Sequence, residues 1–87
     1  MTTVEVFNNV RDYLLDDQAV NPEPLTEAEW TDAIARRLEN LRNWMTEPNH
    51  PNQHSGCSRT AAQLAALSIR LILDMNWPLY PANAPAP

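Results

Sequence analysis

Residues 58–76, SRTAAQLAALSIRLILDMN, constrain the fold more than any other stretch of the chain. Placed on a helical wheel, Ala61, Leu64, Ala65, Leu67, Ile69, Leu71, Ile72, Leu73 and Met75 cover most of the circumference. The polar residues Arg59, Gln63, Arg70 and Asp74 fall within about 60° of one another at 3.6 residues per turn. Arg70 and Asp74 stand four apart and are expected to pair on that strip. A helix apolar on nearly all sides is buried on most of them. Two amphipathic partners in an 87-residue chain can hardly cover it. It is therefore expected to pack also against another copy of itself or a partner protein. Leu64, Leu67, Ile69, Leu71 and Ile72 are the expected oligomer interface.

Two more helices are readable, and no strand pattern is. The first is expected over about 3–16, with the capping-box spacing of Thr2 and Glu5 at its start. Val6, Phe7, Val10, Tyr13 and Leu14 share one arc of it, and Glu5, Asn9, Asp12 and Asp16 the opposite arc. The link AVNPEPL holds two prolines, which bias the residues before them away from the helical region. Thr26 and Glu29 form a second capping box, opening a helix over about 26–45. Trp30, Ile34, Leu38, Leu41 and Met45 recur at helical spacing on its apolar face. Arg36 and Asp32 read as a surface pair. Arg37 falls inside the apolar arc, as Arg11 does in the first helix. An arginine so placed either lays its stem on that face and reaches water, or pairs across a helix interface or with a bound anion. After Trp77 the sequence PLYPANAPAP has four prolines in ten residues and is expected to be extended or disordered. The expected architecture is all-α. It is one domain over 1–77, a short amphipathic helix followed by a helical hairpin, with a Pro/Ala-rich tail over 78–87.

Eighty-seven residues make a marginal core, which a partner chain, a metal or a disulfide commonly assists. The single cysteine, Cys57, cannot build an internal disulfide and fits a reducing compartment. No stretch has the roughly 18 apolar residues of a membrane span. A soluble cytoplasmic protein without a membrane partner is expected. The formal charge is −5, and residues 1–35 hold eight acidic side chains against Arg11 alone. Such acidity argues against duplex nucleic acid as a direct ligand, because phosphate contacts supply most of that affinity. All six basic side chains are arginines, which suit forked contacts to carboxylate or phosphate.

The stretch NHPNQHSGCSRT, Asn49–Thr60, gathers both histidines, the cysteine and the only glycine. His50, His54 and Cys57 are candidate zinc ligands, with Glu47 as a fourth, although paired cysteines at fixed spacing are absent. If the third helix starts near Ser58, its first N–H groups with Ser58, Arg59 and Thr60 form an anion site, and Arg37 could join it. The structural reading has Ser55 or Ser58 capping the helix and Cys57 as a packing residue. It is the favoured one. His54 and Cys57 lack the orienting group and oxyanion site of a catalytic dyad, so no enzyme activity and no obligatory cofactor are expected.

The acidic front half suggests a contact face. Glu5, Asp12, Asp16, Glu27 and Asp32 could imitate nucleic-acid phosphates and occupy a basic groove on a target protein. Small size, acidity and an over-apolar last helix resemble in style the small accessory and inhibitor proteins of phages and mobile elements. The resemblance implies an oligomeric protein that binds and blocks a macromolecule. One alternative expectation is an oligomer that binds or sequesters a small anionic ligand such as a nucleotide. Another is a zinc-clipped helical hairpin.

Overall fold

The computed structural model describes residues 1–85, and three helices make up most of them. These are α1 (Thr3–Val20), α2 (Glu27–Met45) and α3 (Gln53–Met75). No strand occurs among the described residues.

Both capping boxes form. Thr2 Oγ1 accepts the Glu5 N–H at 3.1 Å while Glu5 Oε1 accepts the Thr2 N–H at 3.3 Å. At α2, Thr26 Oγ1 accepts from Glu29 N at 3.2 Å, and Glu29 Oε1 accepts from Thr26 N at 3.0 Å. The backbone and hydroxyl donors of Thr26 hold the Glu29 carboxyl below its ordinary pKa.

Two helix boundaries differ from the sequence expectation. The first helix does not end near residue 16 but continues to Val20. Nothing in Asp17–Val20 breaks a helix. The first residue that does is Pro22, which pushes Asn21 out of the helical region. The third helix begins at Gln53, not near Ser58. Successive turns, Glu47 N to Trp44 O, His50 N to Glu47 O and Gln53 N to His50 O, wind the chain from α2 into α3 at 3.1–3.2 Å. The connection shrinks to Thr46–Asn52, within the usual two to eight residues. Asn52 precedes the helix without a side-chain cap. The Ser55 hydroxyl donates to Asn52 O at 3.0 Å, so neither Ser55 nor Ser58 caps. At the far end Asn76 turns left-handed, φ 53°. Trp77 N donates to Ile72 O and Asn76 N to Leu73 O, both at 3.2 Å, the Schellman arrangement.

α1 and α2 each pack against α3 and not against each other. α3 is thus the central element, as its near-continuous apolar surface requires. Against α1 the core is Val10, Ala62 and Ala66, with Tyr13 and Leu14 packed on it. The alanines let the two helices approach closely. Against α2, Gly56 does the same. A methyl group on its Cα would overlap the Trp44 indole.

Arg70 ties the three segments together. Its side chain is 2% exposed. It donates to Asp17 Oδ2 at 2.7 Å, to Asp17 O at 3.2 Å, to Glu23 O at 2.9 Å and to Asn21 O. Its Nε reaches Asp74 Oδ2 at 3.2 Å, which is the expected pair with the following turn. The guanidinium also stands 6.0 Å from the centroid of the buried Trp30 ring. The polar strip of α3 at this point is therefore interior. Burial works against the charge, but the bonds to Asp17 and Asp74 outweigh it and hold Arg70 above its ordinary pKa. The last turn of α1 has no basic residue of its own. Arg70 supplies the missing positive charge and satisfies carbonyls that the proline-rich link cannot.

The tail leaves the body. Trp77, Leu79 and Tyr80 are all more than half exposed. Residues 86–87 of the expected 78–87 tail lie outside the described residues.

Candidate functional site

Because α1 and α2 flank α3 without touching, a cleft of about 320 Å³ opens between them. Tyr13, Asp16, Asp17, Val20 and Asn21 form the α1 wall, Arg37 the α2 wall, and Gln63, Ala66 and Leu67 the floor. Arg37 is half-buried and donates to Gln63 Oε1 at 3.1 Å. This is the cross-interface pairing that its place in the apolar arc allowed. Asp17 is committed to Arg70, whereas Asp16 is exposed at the rim. The cleft thus presents one carboxylate and one guanidinium on facing walls, suited to a ligand or side chain that carries either sign. Its lining comes from three separate elements, so no local motif announces it.

The acidic residues proposed as a contact face divide into two groups. On α1, Glu5, Asp12 and Asp16 are exposed on the helix side away from Val10. Only Asp12 has a cation nearby, Arg11 at 3.7 Å, with both side chains mostly exposed. On α2, Asp32 is paired with Arg36, and Glu39 has Arg42 within 3.9 Å. Glu27 stands at the α2 N-terminus, where the helix dipole favours it. Among the described residues, Glu5 and Asp16 on α1 and Glu23, Glu27, Glu29 and Glu47 outside it pair with no cation, so α1 carries one part of the unpaired acidity, set on one helix face.

The loop candidates are not brought together. With α3 starting at Gln53, the N–H groups of Ser58, Arg59 and Thr60 lie in its second turn and bond back along the helix. Thr60 is buried, Arg59 is exposed, and Ser58 lines a different groove, between α1 and α3. Arg37 is in the cleft with none of the three. Gly56 faces the Trp44 indole, which takes the space an anion would need. His50 meets the Trp44 ring edge-on at 5.0 Å between centroids, and its Nδ1 accepts the Asn52 N–H at 3.0 Å. Among the described residues no three His, Cys, Asp or Glu side chains converge on a common ion position. No helix of the described residues is long and apolar enough to cross a membrane.

The expected interface also divides. Leu64, Leu67 and Leu71 are half-buried. Ile69 and Ile72 are exposed at 40% and 38%, beside Leu73 at 56%.

Comparison with known protein families, characterised proteins and solved structures returns no match.

Proposed function

We propose that this chain is a small non-enzymatic interaction protein that binds a basic surface on a macromolecular partner and blocks it. The observation that carries the reading is the outer face of α1. Glu5, Asp12 and Asp16 lie seven and four residues apart, on one side of the helix, all exposed. Arg11 offsets them only weakly, since exposed pairs contribute little. A rigid row of carboxylates of this kind attracts an arginine- or lysine-lined groove and speeds encounter with it. The small core supports the same reading. Val10, Trp30, Ala62 and Ala66 are its buried apolar residues. A body this sparing in packed interior suits a protein whose surfaces, rather than an enclosed pocket, do the work.

The test is capture from host lysate on immobilised protein. The wild type is expected to retain a basic protein at low salt and to release it as ionic strength rises. Asp12→Lys with Asp16→Lys is expected to retain none. Asp32→Lys removes a carboxylate already paired with Arg36 and is expected to retain most. Equal capture by the double reversal would eliminate α1 as the contact face.

A further inference from the structure

The exposed side of α3 has a pattern that the acidic face does not explain. Ala61, Ala65, Ser68 and Ile72 follow spacings of four, three and four, and all are exposed. Ile69 and Leu73 stand beside them. No charged residue interrupts this strip, since Arg59, Arg70 and Asp74 lie on the other side of the helix. The two halves of the strip differ in relief. Its first half is small residues and borders a groove of about 470 Å³, walled by Val6 and Val10 of α1 with Glu5 and Asn9 beside them, and floored by Ala61, Ala62 and Ala65. Its second half is a ridge of Ile69, Ile72 and Leu73.

We infer that a second copy of this chain seats on the strip, with the two α3 helices antiparallel about a two-fold axis between Ala65 and Ser68. The axis places Ala65 opposite Ser68 of the other copy, and Ala61 opposite its Ile72. The ridge of each copy then enters the groove of the other, so one patch is its own complement, as an isologous contact requires. A parallel pairing would set Ile72 on Ile72 and leave alanine facing alanine across a gap. The missing charge fits the same geometry, because a charge near a two-fold axis meets its own like.

The surface area agrees. The chain exposes 6815 Å². A compact monomer of 9.9 kDa exposes about 5,200 Å². The radius of gyration is 14.6 Å where about 12 Å is usual for this length. The described residues after Asn76, which leave the body, account for part of the excess. A standard interface takes roughly 800 Å² from each partner, about half of it. The inference rests on the reading of this chain as an interaction protein and leaves Asp12 and Asp16 of the acidic face, which lie outside that groove, available to the partner.

Light scattering after size exclusion at micromolar concentration tests the pairing. The wild type is expected at about 20 kDa, twice the chain mass of 9.9 kDa. Ala65→Glu, which sets like charges across the axis, is expected at the monomer mass with an unchanged helical circular-dichroism spectrum. In a Cys57→Ser background, Ala61→Cys with Ile72→Cys is expected to form disulfide-linked dimers on oxidation, because disulfide formation needs Cβ atoms about 4 Å apart. Ala61→Cys alone is expected to form none. A monomeric wild type, a dimeric Ala65→Glu, or cross-linking by Ala61→Cys alone would each overturn the arrangement. None of these measurements involves the partner, so they fail or succeed independently of lysate capture.

Discussion

Replacing Arg70 with methionine is the sharpest test of how this chain holds together. Methionine keeps much of the side-chain length and apolar stem but removes every donor. The backbone carbonyls of Asn21 and Glu23 then lose their partner, and that of Asp17 keeps only the Asn21 N–H. So do the Asp17 carboxylate, 33% exposed, and the Asp74 carboxylate, 17% exposed. Removing one member of a buried ion pair costs about 3–5 kcal/mol, because the other member is left uncompensated. The bonded groups here share one cation, so their individual contributions do not add. A chain of 87 residues has roughly 4–13 kcal/mol in total. The loss is therefore a large fraction of the whole, and about 12 °C or more in Tm.

Urea denaturation followed by helical circular dichroism, at one fixed protein concentration, measures it. The fixed concentration matters because self-association would make apparent stability concentration-dependent. Detachment of α1 alone would also lower the m-value, since less surface remains to be exposed on unfolding. Arg70→Lys is expected to fall between the wild type and methionine. A lysine keeps the charge but cannot span Asp17, Glu23 and Asp74 as a planar fork does. A loss below about 1 kcal/mol for Arg70→Met would refute the reasoning, because that is the scale of one ordinary hydrogen bond.

Gly56→Ala should destabilise the hairpin, although alanine is the better helix former by about 1 kcal/mol. The added methyl meets the Trp44 ring, and overpacking costs about 1–3 kcal/mol. Chemical denaturation decides the sign, and a net gain would mean that Trp44 swings aside freely. The pH dependence of stability should carry a contribution from Glu29. Its folded pKa is lowered, so the contribution is complete above the unfolded value and is lost as pH falls through the folded one. Glu29→Gln keeps an acceptor oxygen at every pH. The stability difference between wild type and variant should therefore shrink or reverse on acidification, and a difference constant from neutral to acid pH would contradict the assignment.

Local physics made most of the architecture legible. Thr2 with Glu5 and Thr26 with Glu29 fix two helix starts, because a capping box is complete within four residues of sequence. The apolar period of α2 identifies its buried face only in part: Trp30 is interior, whereas Leu38 and Met45 on the same arc are 56% and 64% exposed. The start of α3 was less legible. The sequence places that start near Ser58, yet Gly56 is a contact residue inside the helix, and its partner Trp44 is twelve positions away. Spacing alone cannot separate a glycine that frees the backbone from one that admits an indole. The candidate site was harder still. Arg37 stood out for its position in an apolar arc, but Gln63, the acceptor it finds, is on another helix. Asn21 and Val20 line the cleft only because α1 overruns its expected end.

Arg70 shows why the site and the fold are not separable here. The wheel placed it on a polar strip with Asp74, and that pair exists. What the wheel could not show is that the strip turns inward where α1 ends. A clue was present, however. α1 carries Asp16–Asp17 as it enters its last turn, has no basic residue in that turn, and the following link offers few donors. A helix end so short of positive charge needs a cation from elsewhere, and Arg70 supplies it. Asp17 is thereby withdrawn from the acidic surface, while Asp16, one residue before it, remains exposed. The outer carboxylates of α1 are rigidly displayed because the inner one is bound. Loss of Arg70 should accordingly weaken partner capture through displacement of α1, even though Arg70 itself is almost wholly buried.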